Sequence, residues 1–469
     1  MTGNPKVDRS NGLVLTKPIP GTTKHYYADD QTIQYIGKLT FLFNQDHNIS
    51  LSVYGTPTTS GGNGTFMNPV PPNIIGPYSA YAAHQVANSN DLSLKYSGAF
   101  NNKHQLIDVT LGWHHQRAAT LPNDGSEIGT TEGMAGVPQV SYRRSIPDTH
   151  RLTDFERVPA GYCKDIVVPA TGAVVNPCPV TDYTLGGFGQ FNESAIDSYQ
   201  ARIVGTGLFS AAGHHVAKAG FEMQYATYKN TRAWSGLNYF RESDAGDVFD
   251  AYHYYGFLNN PDVPVVQNKT IATTSTVIVG GFLQDSWQIM DKVTLNVGLR
   301  YDTQVIYAAD GTVALMMPNQ WSPRVGVIDD FTQQGRSKLF ANFARYYEGV
   351  PLDIADRSFP GEFVYASTHP AARLGQPGCN PASNDANSGY RSPACIGKGT
   401  ALPPDSPAVP DRAYYRIGGD SVPVDPATGA QSSDEIRGGR RIRDLPRRAD
   451  RRLLHAPVSQ QGRRGHEQR

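Results

Sequence analysis

No stretch of this sequence approaches the roughly 18 consecutive apolar residues that a membrane-spanning helix needs. The 469 residues carry 42 Lys and Arg against 42 Asp and Glu, so no net charge remains. A nucleic-acid-binding protein normally has a basic surplus or a basic stripe, and neither is present in the whole-chain balance. A helical membrane protein is therefore excluded, and nucleic acid is not a predicted partner.

Signatures of catalysis are also lacking. The sequence contains no HExxH, GxSxG or Walker motif, and no GxGxxG motif follows a predicted strand. Its 4 cysteines include no pair with the CxxC spacing of a zinc site. We therefore predict no enzymatic activity, no cofactor and no metal. Residues 1–30 match no secretory leader and are treated as an unassigned lead-in.

What the sequence does contain is turn residues and tyrosine. The 47 Gly, 33 Pro and 25 Tyr indicate an all-β fold with many turns. Period-2 alternation of apolar and polar residues recurs in five pairs of segments, each pair joined by a short turn. The predicted hairpins pair residues 32–43 with 49–56, 91–100 with 106–115, 195–209 with 215–228, 273–288 with 293–303, and 322–329 with 338–347.

Long connections separate these hairpins. They cover residues 57–90, 116–194, 229–272 and 304–321, and everything from 348 onward. Loops of this length are uncommon in compact soluble domains, where the median is about 4–6 residues. Alternation of tight turns with long loops is typical of an antiparallel transmembrane β-barrel, with the turns in the periplasm and the loops outside. A soluble sandwich would show the same period-2 alternation, so the loop lengths favour the barrel where periodicity alone leaves both open.

The composition changes near the end of the chain. Residues 435–469 hold 11 Arg and no Lys against four acids, a net charge of +7, and they contain no aromatic residue. One interpretation is a basic interaction tail. The favoured one is translation in a shifted frame that begins near Gln431. The predicted organisation is then a barrel over 31–350, an extracellular loop region over 351–434 and an Arg-rich tail over 435–469.

Several segments resemble the barrel of TonB-dependent outer-membrane receptors. They are GGFLQDSWQIMDKVTLNVGLRYDTQ (280–304), WSPRVGVIDDF (321–331) and KLFANFARYYEGVP (338–351). IGKLTFLFNQDHNISLSVYGTP (36–57) is similar to an earlier hairpin of the same barrel. The resemblance is greatest to the Oar-like subgroup, whose members carry a carboxypeptidase-regulatory-like domain, and it covers roughly residues 30–350.

This resemblance implies a 22-stranded barrel in the cell outer membrane, filled by an N-terminal plug. The ten strands recognised here, with no plug and no TonB box, imply a central fragment of such a barrel. Its implied partners are the lipid bilayer, lipopolysaccharide, an unknown ligand such as a sugar or peptide, and the TonB complex through an N-terminal part that this chain lacks. The implied function is uptake of that ligand. The alternatives are an adhesin or structural barrel without active transport, and a secreted soluble β-protein acting on polysaccharide.

Polar residues on the lumen phase of the strands are the position-specific candidates. Their predicted roles are to solvate the lumen, to contact the plug or to contact a ligand. They are Gln34, Lys38, Arg202, Lys218, Glu222, Gln224, Arg300 and Asp302. Asp285 lies on the apolar phase beside Trp287 and is predicted near the periplasmic interface, where a charge costs only ~0–1 kcal/mol.

The four cysteines form two local pairs, Cys163 with Cys178 and Cys379 with Cys395. Each pair lies inside one long connection, and barrel topology places both connections outside the cell, where disulfides persist. We predict two disulfides, each closing a loop of about 15 residues and adding ~3 kcal/mol of local ordering. Free thiols in the loops are the alternative. Aromatic loop residues suit contacts to a sugar or peptide: Tyr78, Tyr81, Trp234, Tyr239 and Tyr252.

Overall fold

The structure is a computed structural model. It describes residues 17–68, 75–145, 148–242, 248–258, 264–290, 292–332, 337–359, 363–370, 414–418 and 428–442. Its strands are β1 (Ala28–Thr32), β2 (Tyr35–Leu42), β3 (His47–Gly55), β4 (Thr58–Gly61), β5 (Phe66–Met67), β6 (Ala83–Phe100), β7 (Gln105–Pro122), β8 (Gln139–Arg143), β9 (His150–Arg151), β10 (Ile166–Val167), β11 (Val174–Val175), β12 (Pro179–Val180), β13 (Asp182–Gly186), β14 (Gln190–Ser210), β15 (His214–Trp234), β16 (Asn238–Glu242), β17 (Val248–Leu258), β18 (Pro264–Gln267), β19 (Thr270–Ile289), β20 (Val293–Tyr307), β21 (Val313–Asp329), β22 (Ser337–Tyr347), β23 (Phe363–Pro370), β24 (Tyr414–Gly418) and β25 (Ser432–Ile442).

Helical structure is sparse in the described ranges. There is one α-helix, α1 (Leu352–Ser358), and 3₁₀ turns lie at Tyr78–Ala80, Met134–Gly136, Leu152–Asp154 and Ser235–Leu237. None of the described helices is long and apolar enough to span a membrane.

A 14-stranded sheet, called the wall below, forms the body of the molecule. Its main path runs β25-β22-β21-β20-β19-β15-β14-β7-β6-β4-β1-β5, with β3 also pairing β6 and β2 pairing β3. Each of the five predicted hairpins is present as an antiparallel pair in this sheet. The turns of the five predicted hairpins lie together at one end of the wall, the turn end, and the long connections lie at the other, the loop end.

The wall strands from β6 to β21 extend farther toward the loop end than their alternation predicted, whereas β2 is shorter than predicted. β14 and β15 each have 21 residues and stay paired from Ser210↔His214 at the turn to Gln190↔Trp234. The predicted long connection at 304–321 is wrong, because β20 and β21 continue through it and are joined by a short turn after Tyr307. A register irregularity between Asp302 and Gln304 lets the pairing continue, and Ile306 and Met317 become buried beyond it.

The connections 116–194 and 229–272, predicted as loops, contain a second sheet. Its order is β13-β8-β16-β17-β23-β24, with β18 on β17, and it is called the cap below. The cap joins segments from three separate connections, and its β8–β16 pair is parallel. Apolar side chains from β8, β13 and the turn after β9 form its core: Val140, Tyr142, Phe155, Tyr183 and Leu185.

The end of the described chain returns to the wall. All 11 residues of β25 pair with β22, from Tyr347↔Ser432 to Ser337↔Ile442. The predicted boundary between residues 434 and 435 therefore falls inside a wall strand. Residues on both sides of that boundary can join the same strand, because the backbone of β25 hydrogen-bonds to β22 whatever its side chains are.

Candidate functional site

One face of the wall is an apolar belt. Opposed residues of an antiparallel pair share a face, so the register traces this belt from β7 to β22. On β14 it runs from Tyr199 to Phe209, ten residues of about 3.3 Å each, which at a tilt of about 45° gives a height of roughly 25 Å. Leu283 in this belt leaves 68% of its surface uncovered by protein. An exposed apolar surface of this height matches the hydrocarbon layer of an outer membrane.

Aromatic residues border the belt at both ends. Toward the loop end these are Trp113, Tyr199, Tyr225, Tyr301 and Trp321, and the last two rings lie 4.7 Å apart. At the turn end the His215 ring is sandwiched between Phe209 and Trp287, at 4.8 and 5.3 Å. Asp285 lies at this same end, where its Oδ2 is 2.7 Å from His215 Nδ1. Aromatic girdles of this kind mark the two interfaces of a membrane barrel.

The opposite, lumen face of the wall carries a chain of ion pairs. Arg202 Nε lies 2.7 Å from Glu222 Oε1, and the other oxygen of Glu222 lies 2.7 Å from Arg300. Arg300 also makes two 2.7 Å hydrogen bonds to Asp302. Four of the predicted lumen residues, spread over β14, β15 and β20, thus form one continuous network.

A glycine makes this network possible. In the register, Gly280 of β19 lies between Glu222 and Asp302. A Cβ added at Gly280 would collide with the Asp302 carboxylate and would approach the Arg300 guanidinium. Because β19 presents no side chain there, Arg300 on β20 reaches across it to Glu222 on β15.

The remaining predicted lumen residues lie outside this network. Gln224 donates a hydrogen bond of 3.0 Å to Ser198 Oγ. Lys218 and Lys38 share the lumen face, opposite Thr206 and Ser52 respectively. Gln34 lies between β1 and β2, where no strand register assigns it to a face. In the described ranges, no three His, Cys, Asp or Glu side chains are grouped to hold a metal.

Sequence reasoning missed the segment that enters the loop end of the lumen. Asp356 of α1, 1% exposed, accepts hydrogen bonds from Asn230 (2.8 Å) and Arg232 (2.9 Å) of β15. The Gln304 side chain bonds both the N–H and the C=O of Val350, each at 3.0 Å. Polar wall side chains therefore hold residues 350–356 against the wall. No local pattern in the sequence marks these partners, because they are 46 to 126 residues apart.

A disulfide lies in the connection that supplies β8 and β13, and a buried charge cluster joins β8 to β16. Cys163 and Cys178 are disulfide-bonded, whereas Cys379 and Cys395 lie outside the described residues. Glu242 is 0% exposed and accepts hydrogen bonds from the N–H of Arg143 (2.8 Å), from Arg144 Nε (3.0 Å) and from His150 Nε2 (2.6 Å). A buried carboxylate with three donors on it is a structural element that fixes β8 beside β16.

The aromatic loop residues make structural contacts of their own. Tyr78 donates to the carbonyl of Thr65 at 2.9 Å and packs edge-on against Phe66. The Tyr81 hydroxyl donates to the carbonyl of Ile75 at 3.0 Å. Trp234 and Tyr239 stack with centroids 5.3 Å apart. The side chain of the predicted Tyr252 lies outside the described residues.

Several loop-end carboxylates titrate below their ordinary range. Burial raises the pKa of Asp124, but hydrogen bonds from Ser126 and from the Met134 N–H outweigh it and lower the pKa. Hydrogen bonds from the hydroxyl and the N–H of Thr312 lower the pKa of Asp310. The hydrogen bond from Arg151 lowers the pKa of Asp165. These carboxylates are charged near neutral pH and stabilise their turns as acceptors.

Comparison with known proteins agrees with this two-faced wall. A family model for the outer membrane beta barrel domain matches residues 12–386. The TonB-dependent transporter Oar of Myxococcus xanthus is 41% identical over 454 residues, which cover 92% of this chain and 42% of that protein. The chain therefore spans less than half the length of this relative.

Solved structures of similar fold include two outer-membrane proteins. The outer membrane transporter YddB from Escherichia coli has a TM-score of 0.42 and 15% identity, covering 77% of this chain and 39% of that one. The ferripyoverdine receptor of Pseudomonas aeruginosa has a TM-score of 0.42 and 12% identity, covering 73% and 39%. Because the family model matches most of its length, this chain belongs to the outer membrane beta barrel domain family and is an outer-membrane protein.

Proposed function

We propose that this chain forms part of a receptor that moves a ligand across the outer membrane with energy supplied through TonB. The observation that carries the proposal is the lumen ion-pair chain through Arg202, Glu222, Arg300 and Asp302. Charged groups on the inner face suit a lumen that holds water, a plug and a passing ligand.

The proposed ligand contacts divide between two regions. The cap would make the first contact outside the cell, and its partners would be sugar or peptide groups. The lumen polar residues would then contact either the ligand or a plug domain. The segment at residues 350–356, held by Gln304, Asn230 and Arg232, lies between these regions and would have to yield for a large ligand to pass.

The test measures accumulation in cells. Bacteria that produce the complete receptor are given fluorescein-labelled peptides and oligosaccharides, with and without a protonophore that removes the energy source for TonB. We expect accumulation in energised cells and surface binding alone in treated cells. Accumulation that the protonophore leaves unchanged would contradict energised transport.

A second candidate is adhesion without transport, and the cap is the observation that favours it. Segments of three separate connections form one sheet with its own core, which is more structure than a passive connection requires. The same cell experiment separates the two functions, because an adhesin binds the probe equally with and without energy. The soluble secreted β-protein considered from the sequence is excluded by membership of the outer-membrane family.

A further inference from the structure

A small cavity on the lumen face is lined by three arginines. Its volume is about 120 Å³, and Arg202, Arg300 and Arg324 line it together with Gln284 and Gly298. These residues come from β14, β19, β20 and β21, so the cavity belongs to the continuous wall. A space of this volume admits a small oxyanion group.

The charges around this cavity do not cancel. Glu222 and Asp302 neutralise Arg300 and one edge of Arg202. Arg324 makes no ion pair with any residue in the part of the chain that the structure describes. Three guanidinium groups therefore face two carboxylates, which leaves one positive charge at the cavity. A site with this positive charge attracts a negatively charged group.

Two features hold the cavity open and orient its free cation. Arg324 lies over the Tyr346 ring, 5.1 Å from its centroid, which positions the guanidinium by a cation–π contact. Gly298 lies directly across from Arg324 in the register. A Cβ at Gly298 would come within 3.2 Å of the Gln284 Cβ, so the absence of a side chain leaves the space in front of Arg324 clear.

We propose that this cavity binds one oxyanion group, a carboxylate or a phosphate, with Arg324 as the principal ligand and Arg202 as the second. Arginine is suited to this role because its planar fork makes two parallel hydrogen bonds to such a group. The assignment rests on the proposed function, since within a transport receptor the oxyanion would belong to the passing ligand. An acidic side chain of a plug domain is the other source of the same chemistry.

The test titrates the full chain in uncharged detergent micelles at low salt with inorganic phosphate and with succinate, following binding by calorimetry. Succinamide, which lacks the charges, is the ligand control. We expect Arg324→Gln to weaken phosphate and succinate binding about tenfold, the loss expected for one charge-assisted hydrogen-bonded pair. Lys338→Gln is the matched control, because it removes one charge from the same face on the neighbouring strand, outside the cavity.

A second measurement uses the unmodified chain, so it holds even if a variant fails to fold. Phenylglyoxal modifies accessible arginines, and mass spectrometry reports each site. We expect phosphate to protect Arg324 and Arg202 severalfold but to leave Arg345, which is paired with Asp434 on the opposite face, unprotected. Absence of binding, equal loss in Lys338→Gln, or equal protection of Arg345 would each overturn the proposal.

The two sources of the oxyanion are separated by the complete receptor. If a ligand supplies the group, phosphate still protects Arg324 there; if a plug carboxylate occupies the cavity, Arg324 is protected before phosphate is added, and the ligand assignment is wrong. The energised-uptake experiment is independent of both results. Uptake without oxyanion binding overturns only the cavity assignment, and binding without uptake overturns only the transport proposal.

Discussion

The wall and the cap are built from the same alternating strands but are stabilised in opposite ways. The wall leaves its apolar side chains facing outward, as Leu283 does, and carries the ion-pair network through Glu222 and Arg300 on the inside. The cap buries Tyr142 completely and surrounds the buried acid Glu242 with donors, as a protein in water does. In the cap, the surface that the protein itself buries therefore indicates how strongly a side chain stabilises the fold. In the wall it does not, because lipid covers the outward apolar side chains that the protein leaves exposed.

The largest expected effect breaks the cap. Phe155→Ala removes a ring that stacks on Tyr183 at 4.3 Å inside the cap core, and we expect a loss of about 3–5 kcal/mol. Phe221→Ala in the wall removes the same group from a half-exposed site where lipid can fill the gap, so its cost should be smaller. Hydrogen exchange of the two regions, followed by mass spectrometry, measures both. Equal costs would mean that the wall packs like an ordinary core.

The next prediction compares two equally exposed aliphatic residues. Leu283 is 68% exposed in the wall belt, and Val174 is 60% exposed in the separate hairpin β10–β11, which lies between β8 and β13 in the chain. We expect Leu283→Arg to destabilise the folded chain in lipid vesicles by about 2–4 kcal/mol, since the charge enters hydrocarbon. Val174→Arg remains in water and should change stability by less than about 0.5 kcal/mol.

Urea unfolding in vesicles, followed by tryptophan fluorescence, measures this second pair. A cost for Val174→Arg that matched that for Leu283→Arg would place both side chains in the same solvent. The assignment of the outward face to lipid would then fail.

A smaller effect is expected from the lumen network. Glu222→Gln keeps the shape of the side chain but removes the charge that Arg202 and Arg300 share. Because the lumen is wet, we expect a loss of only ~1 kcal/mol, similar to that of a partly exposed ion pair. Lys218→Gln is the control, because Lys218 lies on the same lumen face and makes no ion pair with any described residue. Raising the salt concentration should shrink the difference between the two variants.

The wall was predictable from the sequence because its information is local. Each hairpin joins strands that are adjacent in the chain. The alternation in VTLNVGLRYD assigns Leu299 to the apolar face and Arg300 to the lumen face. Arg324 follows the same rule and could have been found by continuing the polar phase through WSPRVGV. The ends of the strands were less predictable, because above the apolar belt both faces are polar and alternation fades.

The cap was not predictable because its pairings are not local. β8 pairs β16 about 100 residues along the chain, and its two five-residue strands are too short for periodicity to stand out. The contact of Asp356 with Asn230 likewise depends on where the wall places β15. The cysteine pair at 163 and 178 was the one cap feature visible in advance, because both partners lie in the same connection.

The smallest expected effect is a pH dependence of the β20–β21 turn, which lies in water, that the membrane-facing part of the wall should not share. Hydrogen bonds from Thr312 lower the pKa of Asp310 in the folded chain, so this carboxylate stabilises the β20–β21 turn above its unfolded pKa of about 3.9. This contribution to stability is lost as the pH falls through the lowered folded pKa, because the protonated Asp310 carboxyl is a weaker acceptor for the Thr312 hydrogen bonds. We expect acidification below pH 4 to lower the hydrogen-exchange protection factors of residues 308–312, each corrected for the intrinsic exchange rate at that pH, and Asp310→Asn to remove most of this pH dependence. Leu295 and Val297, which lie on the apolar face of the same β20 strand, should show no matching change, since no carboxylate titrates against their amides.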